Sequence, residues 1–253
     1  MDEKVAIITG ASSGIGRAAA TEFRRRGISV VAVGRNEADL STLRDETRES
    51  KGALRMHLAD VTEFTQIDRL LSETIEHFGK LDILVNAAGI IKGGNIEDTS
   101  IDEWDRMMNI NVRSVFYTMQ KCVPHLEKTK GNVVNVSSVT GLRSFPNVLA
   151  YCVSKAAVDQ LTRCSALELA PKGIRVNAVN PGVVVTNLHR RSGMNEADYE
   201  KFLANAKNTH PIGRAGEPGE VADLIYFLSS DSAKWITGAT YSIDGGRALT
   251  CAR

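Results

Sequence analysis

The sequence lacks a long apolar segment, a leader-like N-terminus and an excess of charge of one sign. Met1 to Lys4 lead directly into a short apolar run, with no basic n-region or long h-region before it. This start predicts neither a secretory signal nor a membrane span. Lysine and arginine number 31, aspartate and glutamate 30, and the net charge of +1 gives no electrostatic argument for nucleic acid or an anionic membrane as a partner. We therefore expect a cytoplasmic protein.

Cysteine is scarce and scattered. The four cysteines are Cys122, Cys152, Cys164 and Cys251. They form no C-x-x-C pair and none has a neighbouring histidine. This spacing favours buried free thiols over disulfides or a metal site.

Seven short apolar runs alternate with helical patterns along the chain. The runs are residues 4–9, 28–34, 53–58, 81–85, 132–136, 174–179 and 239–243. One helical pattern ends near residue 26 and another ends near residue 170. The other helical patterns cover residues 37–51, 63–78, 101–127 and 218–228. Strands alternating with helices predict parallel βαβ units, hence a doubly wound α/β sheet (a Rossmann fold of about seven strands) with helices on both faces. Because the sequence shows no linker or repeat, we predict a single domain over residues 1–253, with a polar insertion near residues 187–215.

The unusual residue clusters follow the predicted strands. Such sheets bind ligands beyond the C-terminal ends of their strands, near the point where strand order reverses. The clusters at these ends are Gly10 with Gly14 and Gly16, Arg35, Asp60, Asn86 to Gly89, Ser138, and Pro181 with Gly182. Their shared edge predicts one ligand site.

The glycine motif Gly10-x-x-x-Gly14-x-Gly16 lies between a strand and a helix. Glycine permits a tight turn and close approach of the backbone to a pyrophosphate, and the helix N-terminus offers N–H groups to phosphates. The alternative is a plain glycine-rich turn. We expect a dinucleotide to be bound here, with Ser12, Ser13 and Ile15 beside it.

Three further clusters suit the rest of a dinucleotide. Arg35, followed by Asn36, suits the 2′-phosphate of NADP, although a solvated arginine explains it equally well. Asp60, followed by Val61, can accept hydrogen bonds from an adenine amino group; the alternative is a helix cap, a role for which Thr62 is better placed. The small residues Asn86, Ala87 and Gly89 suit a cofactor lying flat on the backbone.

Tyr151 and Lys155 are spaced by one helical turn, so their side chains share a helix face. A phenol beside an ammonium is a proton donor whose pKa is lowered, because nearby positive charge favours phenolate. Ser138 follows an apolar run from which a hydroxyl reaches the same place. Taken alone, a half-buried tyrosine and a solvated lysine explain the pair better.

Together these motifs resemble the short-chain dehydrogenase/reductase family, most closely its 3-oxoacyl-carrier-protein reductase type. The resemblance covers residues 4–246. It implies that Tyr151 exchanges a proton with a carbonyl oxygen, that Lys155 lowers its pKa and binds the nicotinamide ribose, that Ser138 holds the carbonyl oxygen, and that Asn111 holds a water. It further implies that Pro181, Gly182, Val184 and Thr186 contact the nicotinamide end of the cofactor. The alternative is a cofactor-bound regulator without chemistry.

The resemblance extends to assembly and substrate. It implies a homotetramer in which the helices of Asn111 and Tyr151 pair. Val115, Met119, Val158 and Leu161 offer apolar contacts there, although core packing explains them too. Residues 187–210 would form a lid, which carries His189, Arg190, Arg191, Met194 and Tyr199. The opposite rim has Ile91, Lys92, Leu142, Arg143 and Phe145. This mixture suggests an apolar slot with a basic mouth for an acyl or hydroxy-carbonyl substrate with an anionic end, with a 3-oxoacyl or related ketone as the leading class. Solvated basic residues explain these positions equally well, and steroid, sugar or xenobiotic carbonyls stay open.

Cofactor preference is predicted from the end of the second strand. Relatives that use NAD often place an aspartate where this chain has Gly34, so nothing here repels a 2′-phosphate, and Arg35 offers a guanidinium matched to phosphate oxygens. Many NADP users also have a cation at the position of Ser13. With one cation instead of two, we expect NADP(H) to be preferred over NAD(H) by a modest margin.

Overall fold

The computed structural model describes residues 3–250. Its centre is a sheet of seven parallel strands in the order β3-β2-β1-β4-β5-β6-β7. The strands are β1 Val5–Thr9, β2 Ser29–Gly34, β3 Leu54–Leu58, β4 Ile83–Asn86, β5 Asn132–Val136, β6 Arg175–Pro181 and β7 Thr240–Ile243. Strand order reverses at β1, which pairs with β2 on one side and with β4 on the other. The predicted doubly wound parallel sheet is confirmed.

Helices connect the strands. The α-helices are α1 Gly14–Arg25, α2 Glu37–Glu46, α3 Phe64–Phe78, α4 Ile101–Met108, α5 Ser114–Thr129, α6 Val139–Leu142, α7 Leu149–Leu169, α8 Leu188–Arg191, α9 Glu196–Ala204, α10 Ala206–Thr209 and α11 Pro218–Ser229. A π-helical segment, Asn109–Arg113, lies between α4 and α5. Short 3-10 turns cover Ala170–Lys172, Asp231–Ala233 and Arg247–Leu249.

The central strands are buried on both faces, which is why they read as continuous apolar runs. Every residue of β1 and β2 is buried. One core packs α1 and α11 against the sheet, and a second packs α3, α5 and the distal half of α7 against the opposite face. The strands are thereby fixed in position, and their C-terminal ends form a stable edge for the loops that follow.

Several boundaries differ from the predictions, and three of the differences concern α2, the helix over 101–127 and β6. Helix α2 ends at Glu46 instead of residue 51, and the chain after it turns back so that the Arg24 Nε donates to the Gly52 carbonyl at 2.9 Å. The predicted helix over 101–127 is interrupted by the π-helical segment. Strand β6 continues to Pro181, because Gly182 N donates to Ile243 O and prolongs the pairing with β7.

The prediction of buried thiols is only partly right. Cys122 is buried, Cys152 is half-buried, and Cys164 is exposed on α7. Cys251 lies outside the described residues. No helix within residues 3–250 has both the length and the apolar character needed to cross a membrane.

Candidate active site

The loops after β1 and β4 are joined by the side chain of Thr9. Its hydroxyl oxygen accepts hydrogen bonds from Ala87 N at 3.1 Å and Ala88 N at 3.2 Å. A Cβ on Gly10 would lie 2.8 Å from the carbonyl oxygen of Ala87, and Gly10 has a φ of +69°. Glycine is required there, because only a residue without a side chain allows the two loops to touch. The predicted glycine motif and the small residues after β4 therefore form one surface.

The N-terminus of α1 is shaped for an anion. Gly14 adopts a φ of +54°, and a Cβ on Gly16 would lie 2.4 Å from the Gly10 carbonyl oxygen. Ser13 is the N-cap, yet its side chain accepts no hydrogen bond from the first turn, so it leaves those N–H groups to a ligand. Ile15 packs on the core below. These residues fit the pyrophosphate of a dinucleotide.

The end of β2 brings a cation to the same edge. Arg35 is exposed, and its Nη1 lies 3.3 Å from Asp60 Oδ2 at the end of β3. Asn36 is the N-cap of α2 and accepts from Asp39 N at 3.2 Å. A Cβ on Gly34 would lie 3.1 Å from Ser12 Cβ, so the glycine loop and the end of β2 are in contact.

Asp60 is a turn residue as well as a partner of Arg35. Its Oδ1 accepts from Thr62 N at 3.0 Å and from the Thr62 hydroxyl at 2.7 Å. Burial raises the pKa of this carboxyl, but the hydrogen bonds from Thr62 and the charge of Arg35 outweigh it, and the pKa is lowered. Helix α3 takes its N-cap from Glu63, so Thr62 is not the cap. Val61 packs against the core.

The side chain of Asn86 faces inward. Its Nδ2 donates to Asn135 Oδ1 at 2.9 Å, and Asn135 Nδ2 in turn donates to the Thr162 hydroxyl at 2.9 Å. This buried chain links β4, β5 and α7. The Asn86 side chain therefore fixes the position of the backbone that follows it, up to Gly89, and does not offer its own amide to a ligand.

Tyr151 and Lys155 are both buried on α7, with 7% and 5% of their surface exposed. This burial excludes the ordinary explanation of a solvated lysine. Lys155 Nζ donates to the Val136 carbonyl at 2.9 Å and lies 5.6 Å from the centroid of the Tyr151 ring. Ser138, which follows β5, is close enough to the Tyr151 phenol to lower its pKa. The structure thus brings the three predicted residues together.

The pKa values differ from the expectation. Burial raises the pKa of Tyr151 to about 12, and the nearby Ser138 side chain offsets only part of that rise. Burial lowers the pKa of Lys155 to about 8. The prediction that the lysine lowers the pKa of the tyrosine is wrong for the protein alone, because the apolar surroundings penalise both charged forms.

Asn111 lies in the π-helical segment, where the helical hydrogen-bond pattern is irregular. Its Oδ1 accepts from Ile90 N at 2.9 Å, and its Nδ2 donates to Ile90 O at 2.9 Å and to Ser154 Oγ at 3.0 Å. A Cβ on Gly89 would lie 3.2 Å from Asn111 Oδ1 and 3.6 Å from Lys155 Nζ. Asn111 therefore ties the loop after β4 to α7 beside the lysine. π-Segments frequently occur at functional sites.

The loop after β6 reaches the glycine motif through Thr186. A Cβ on Gly14 would lie 3.1 Å from Thr186 Cγ2. Val184 is buried, and its neighbour Val185 N donates to Gly216 O at 2.9 Å. A Cβ on Gly182 would lie 2.9 Å from His210 Nε2. The residues predicted around Pro181 therefore lie at the same edge as the glycine motif.

His210 and Tyr199 hold the loop after β6 in place, a role that the sequence did not predict for them. His210 Nε2 accepts from Val183 N at 3.1 Å, and burial lowers the pKa of His210. The hydroxyl of Tyr199, which the sequence suggested for a substrate slot, instead donates to Thr186 O at 2.8 Å and accepts from Thr186 N. No local pattern marks these contacts, because each joins residues at least 13 positions apart.

The basic residues predicted at the mouth are mostly paired. Arg190 binds Glu196 and stacks 3.9 Å over the Tyr199 ring. Arg143 donates to the carbonyls of Ala248 and Thr250 near the C-terminus. Lys92 lies 4.0 Å from Glu103. These contacts argue against a substrate-site entrance lined by unpaired basic side chains.

Comparison with known proteins decides the family. Residues 10–248 match the model of the family described as Enoyl-(Acyl carrier protein) reductase. The chain is 38% identical to the 3-oxoacyl-[acyl-carrier-protein] reductase of Thermotoga maritima over 97% of this chain and 98% of that protein. The chain belongs to the short-chain dehydrogenase/reductase family. Members of this family are oxidoreductases that act on carbonyl and alcohol substrates with a nicotinamide dinucleotide.

Other members of the short-chain dehydrogenase/reductase family are similar over the whole chain. Meso-2,3-butanediol dehydrogenase of Serratia marcescens is 36% identical over 97% of this chain and 94% of that protein. A Caenorhabditis elegans short-chain dehydrogenase/reductase of unknown function, crystallised with cofactor, is 38% identical, with a TM-score of 0.93 over 98% of this chain and 96% of that one. ElxO with NADP bound is 32% identical, with a TM-score of 0.90 over 98% and 100%. Similar members of this family are thus named for different substrates.

Proposed function

We propose that this protein interconverts a ketone and a secondary alcohol by hydride transfer, with Tyr151 as general acid and base. The burial of Tyr151, Ser138 and Lys155 at one place, with Lys155 Nζ 5.6 Å from the centroid of the Tyr151 ring, supports this proposal most directly. These residues lie at the edge of the sheet where the glycine motif and the loops after β4 and β6 meet. We propose Asn111, Ser138, Tyr151 and Lys155 as the catalytic set.

Ser138, Tyr151 and Lys155 have distinct tasks, and Asn111 positions the loop after β4 beside the lysine. A bound nicotinamide would supply or accept the hydride, and its oxidised form would carry a positive charge. The Ser138 hydroxyl donates a hydrogen bond to the carbonyl oxygen. Tyr151 Oη gives its proton to that oxygen as negative charge develops there. With a pKa of about 8, Lys155 is mainly an ammonium at neutral pH and favours the phenolate that remains.

The leading substrate class is a 3-oxoacyl compound or a related ketone. The Thermotoga maritima relative is named for a 3-oxoacyl substrate, while the Serratia marcescens relative is named for a small diol. Steroid, sugar and xenobiotic carbonyls are the alternatives.

The test is a panel assay of the purified protein with NADPH, covering 3-oxoacyl thioesters, small diketones and steroids. We expect turnover of a 3-oxoacyl compound. Turnover of only another class would replace the substrate proposal. Tight dinucleotide binding without turnover of any carbonyl or alcohol would instead favour a non-catalytic regulator.

The proposed cofactor is NADP(H) in preference to NAD(H). Arg35 is exposed at the end of β2, and its one ion pair among the described residues is with Asp60, at 3.3 Å. Gly34 places no carboxylate where a 2′-phosphate would lie. ElxO, a similar structure, has NADP bound. We expect a preference of roughly 1–3 kcal/mol, the contribution of one set of charge-assisted hydrogen bonds. Equal or better kcat/KM with NADH would refute it.

We further propose a cytoplasmic homotetramer, with different contact residues from those first expected. Val115, Met119 and Val158 are buried within one chain, and Leu161 packs against its core. The exposed apolar residues on the same helices are Phe116, Val153 and Leu167. Trp235 is 97% exposed near the edge strand β7, which suits a second contact. Light scattering at micromolar concentration tests this proposal, and a monomeric mass would refute it.

A further inference from the structure

Arg191 extends from the lid helix α8 to the glycine motif at the opposite end of the sequence. Its Nη1 donates to the Ser13 hydroxyl at 2.9 Å, although the two residues are 178 positions apart. Its Nη2 lies 3.7 Å from Asp39 Oδ2 in the first turn of α2. The guanidinium therefore lies between the N-termini of two helices, above the place where β1 and β2 end.

The residues around this guanidinium adjoin those proposed to hold the dinucleotide. Ser13 is the N-cap of α1, and its neighbour Ser12 contacts Gly34. Asp39 N donates to Asn36 Oδ1, and Asn36 directly follows Arg35. Arg191 and Arg35 therefore flank the same strand end, one from the lid and one from the sheet.

The present partners of Arg191 leave much of its binding capacity unused. A serine hydroxyl is a neutral acceptor, and a carboxylate at 3.7 Å is beyond normal hydrogen-bond distance. By contrast, the neighbouring Arg190 makes two close hydrogen bonds to the Glu196 carboxylate. About half of the Arg191 side chain is exposed. A phosphate monoester at this position would offer the paired oxygens that a guanidinium binds best.

We propose that Arg191 is a specificity-determining residue that binds the 2′-phosphate of NADP(H) together with Arg35. This inference rests on the proposed dinucleotide function and extends it. Arg191 supplies from the lid the second cation that the glycine motif lacks at Ser13.

The test compares dinucleotide binding by the full-length wild type, Arg191→Ala, Arg191→Glu and Arg35→Ala. Lys201→Ala is the matched control, because it removes one positive charge from the lid at a side chain that is 80% exposed and forms an ion pair with Asp198. Dissociation constants for NADPH and NADH are measured by fluorescence titration. Adenosine 2′,5′-bisphosphate and adenosine 5′-monophosphate serve as competing probes that need no catalysis.

We expect Arg191→Ala to weaken NADPH and adenosine 2′,5′-bisphosphate about tenfold and to change NADH and adenosine 5′-monophosphate less than twofold. Arg191→Glu should weaken NADPH further, and Lys201→Ala should match the wild type. Equal losses for NADPH and NADH would overturn the proposal and assign Arg191 to the pyrophosphate. Unchanged NADPH binding would overturn it in favour of a tether between the lid and Ser13. If the wild type binds neither dinucleotide, the proposed function fails as well.

Discussion

The side-chain amide of Asn180 binds the buried carboxylate of Asp159, with Nδ2 at 2.9 and 3.1 Å from its two oxygens. The same nitrogen lies 2.9 Å from the Ser138 carbonyl oxygen. Asp159 follows Lys155 by one turn of α7 and is 1% exposed. Through Asn180, the Asp159 carboxylate thus holds the end of β6 and the backbone of Ser138 against α7, the helix that carries Tyr151. Sequence reasoning did not identify either residue.

We predict that Asp159→Ala misplaces Ser138 and lowers kcat about 10- to 100-fold with little change in dinucleotide affinity. The substitution leaves the buried Asn180 donor without its main acceptor, at a cost of about 1–3 kcal/mol. Asp159→Asn retains one acceptor oxygen and should retain more activity. Steady-state kinetics and urea unfolding of both variants provide the check. Similar losses from both substitutions would show that the negative charge matters instead of the geometry.

Tyr151→Phe should lower turnover about 10²- to 10⁴-fold, the usual contribution of a general acid. Dinucleotide affinity should stay within about twofold, because the ring remains in place. Tyr226→Phe is the matched control, since Tyr226 packs edge-on against Phe23 between α11 and α1, away from the proposed site. Undiminished turnover of Tyr151→Phe would refute the proposed mechanism.

Lys155 should make the stability of the cofactor-free protein depend on alkaline pH. Its pKa is about 8 in the folded chain and about 10.4 when unfolded. Between these values the unfolded chain binds more protons, so the free energy of unfolding rises with pH, by about 3 kcal/mol in total. This contribution is fully present above about pH 10.4 and is lost as the pH falls through 8.

Lys155→Met should abolish that rise, because methionine does not titrate. Urea unfolding of wild type and variant at several pH values between 7.5 and 10.5, without cofactor, measures the difference. Other groups that titrate in this range affect both proteins equally. The same rise in both proteins would place the proton uptake elsewhere.

The glycine motif allows a matched pair of substitutions. Gly16→Ala would place a Cβ 2.4 Å from the Gly10 carbonyl oxygen, so we expect a loss of about 2–4 kcal/mol in the free energy of unfolding together with weaker dinucleotide binding. Gly219→Ala, in α11, meets no atom within 4 Å and should stabilise the protein by about 0.4–1 kcal/mol. Thermal unfolding of the two variants is the comparison. Equal stability would show that the turn after β1 can shift.

Phe116→Glu should reduce the mass observed by light scattering, because a charge on the exposed face of α5 would be buried in the proposed interface. Ile101→Glu is the control, since Ile101 is 73% exposed at the start of α4, outside the proposed contacts. Both variants should keep the circular dichroism spectrum of the wild type. An unchanged tetramer with Phe116→Glu would exclude α5 from the interface.

Local patterns account for most of the fold. Apolar runs such as Val5–Thr9 must be strands buried on both faces, and their alternation with helical patterns permits few arrangements other than a parallel sheet. The glycine motif and the Tyr151–Lys155 spacing are also local, so the edge that bears them was predictable. Ser13, Ser138 and Thr186 lie in the segments that follow β1, β5 and β6, and the structure brings them to that edge.

What the sequence alone determined is therefore the order of elements, the edge where their loops meet and the residue types that face it. Only the tertiary structure decided which side chains are buried or paired there. Burial of Lys155 lowers its pKa, Arg190 is occupied by Glu196, and Arg191 reaches Ser13 across 178 positions. Val115 and Phe116 are neighbours on a helix, yet one faces the core and the other solvent. Periodicity reports only neighbours along the chain, whereas burial and charge pairing depend on contacts between distant segments, which arise only when the sheet has formed.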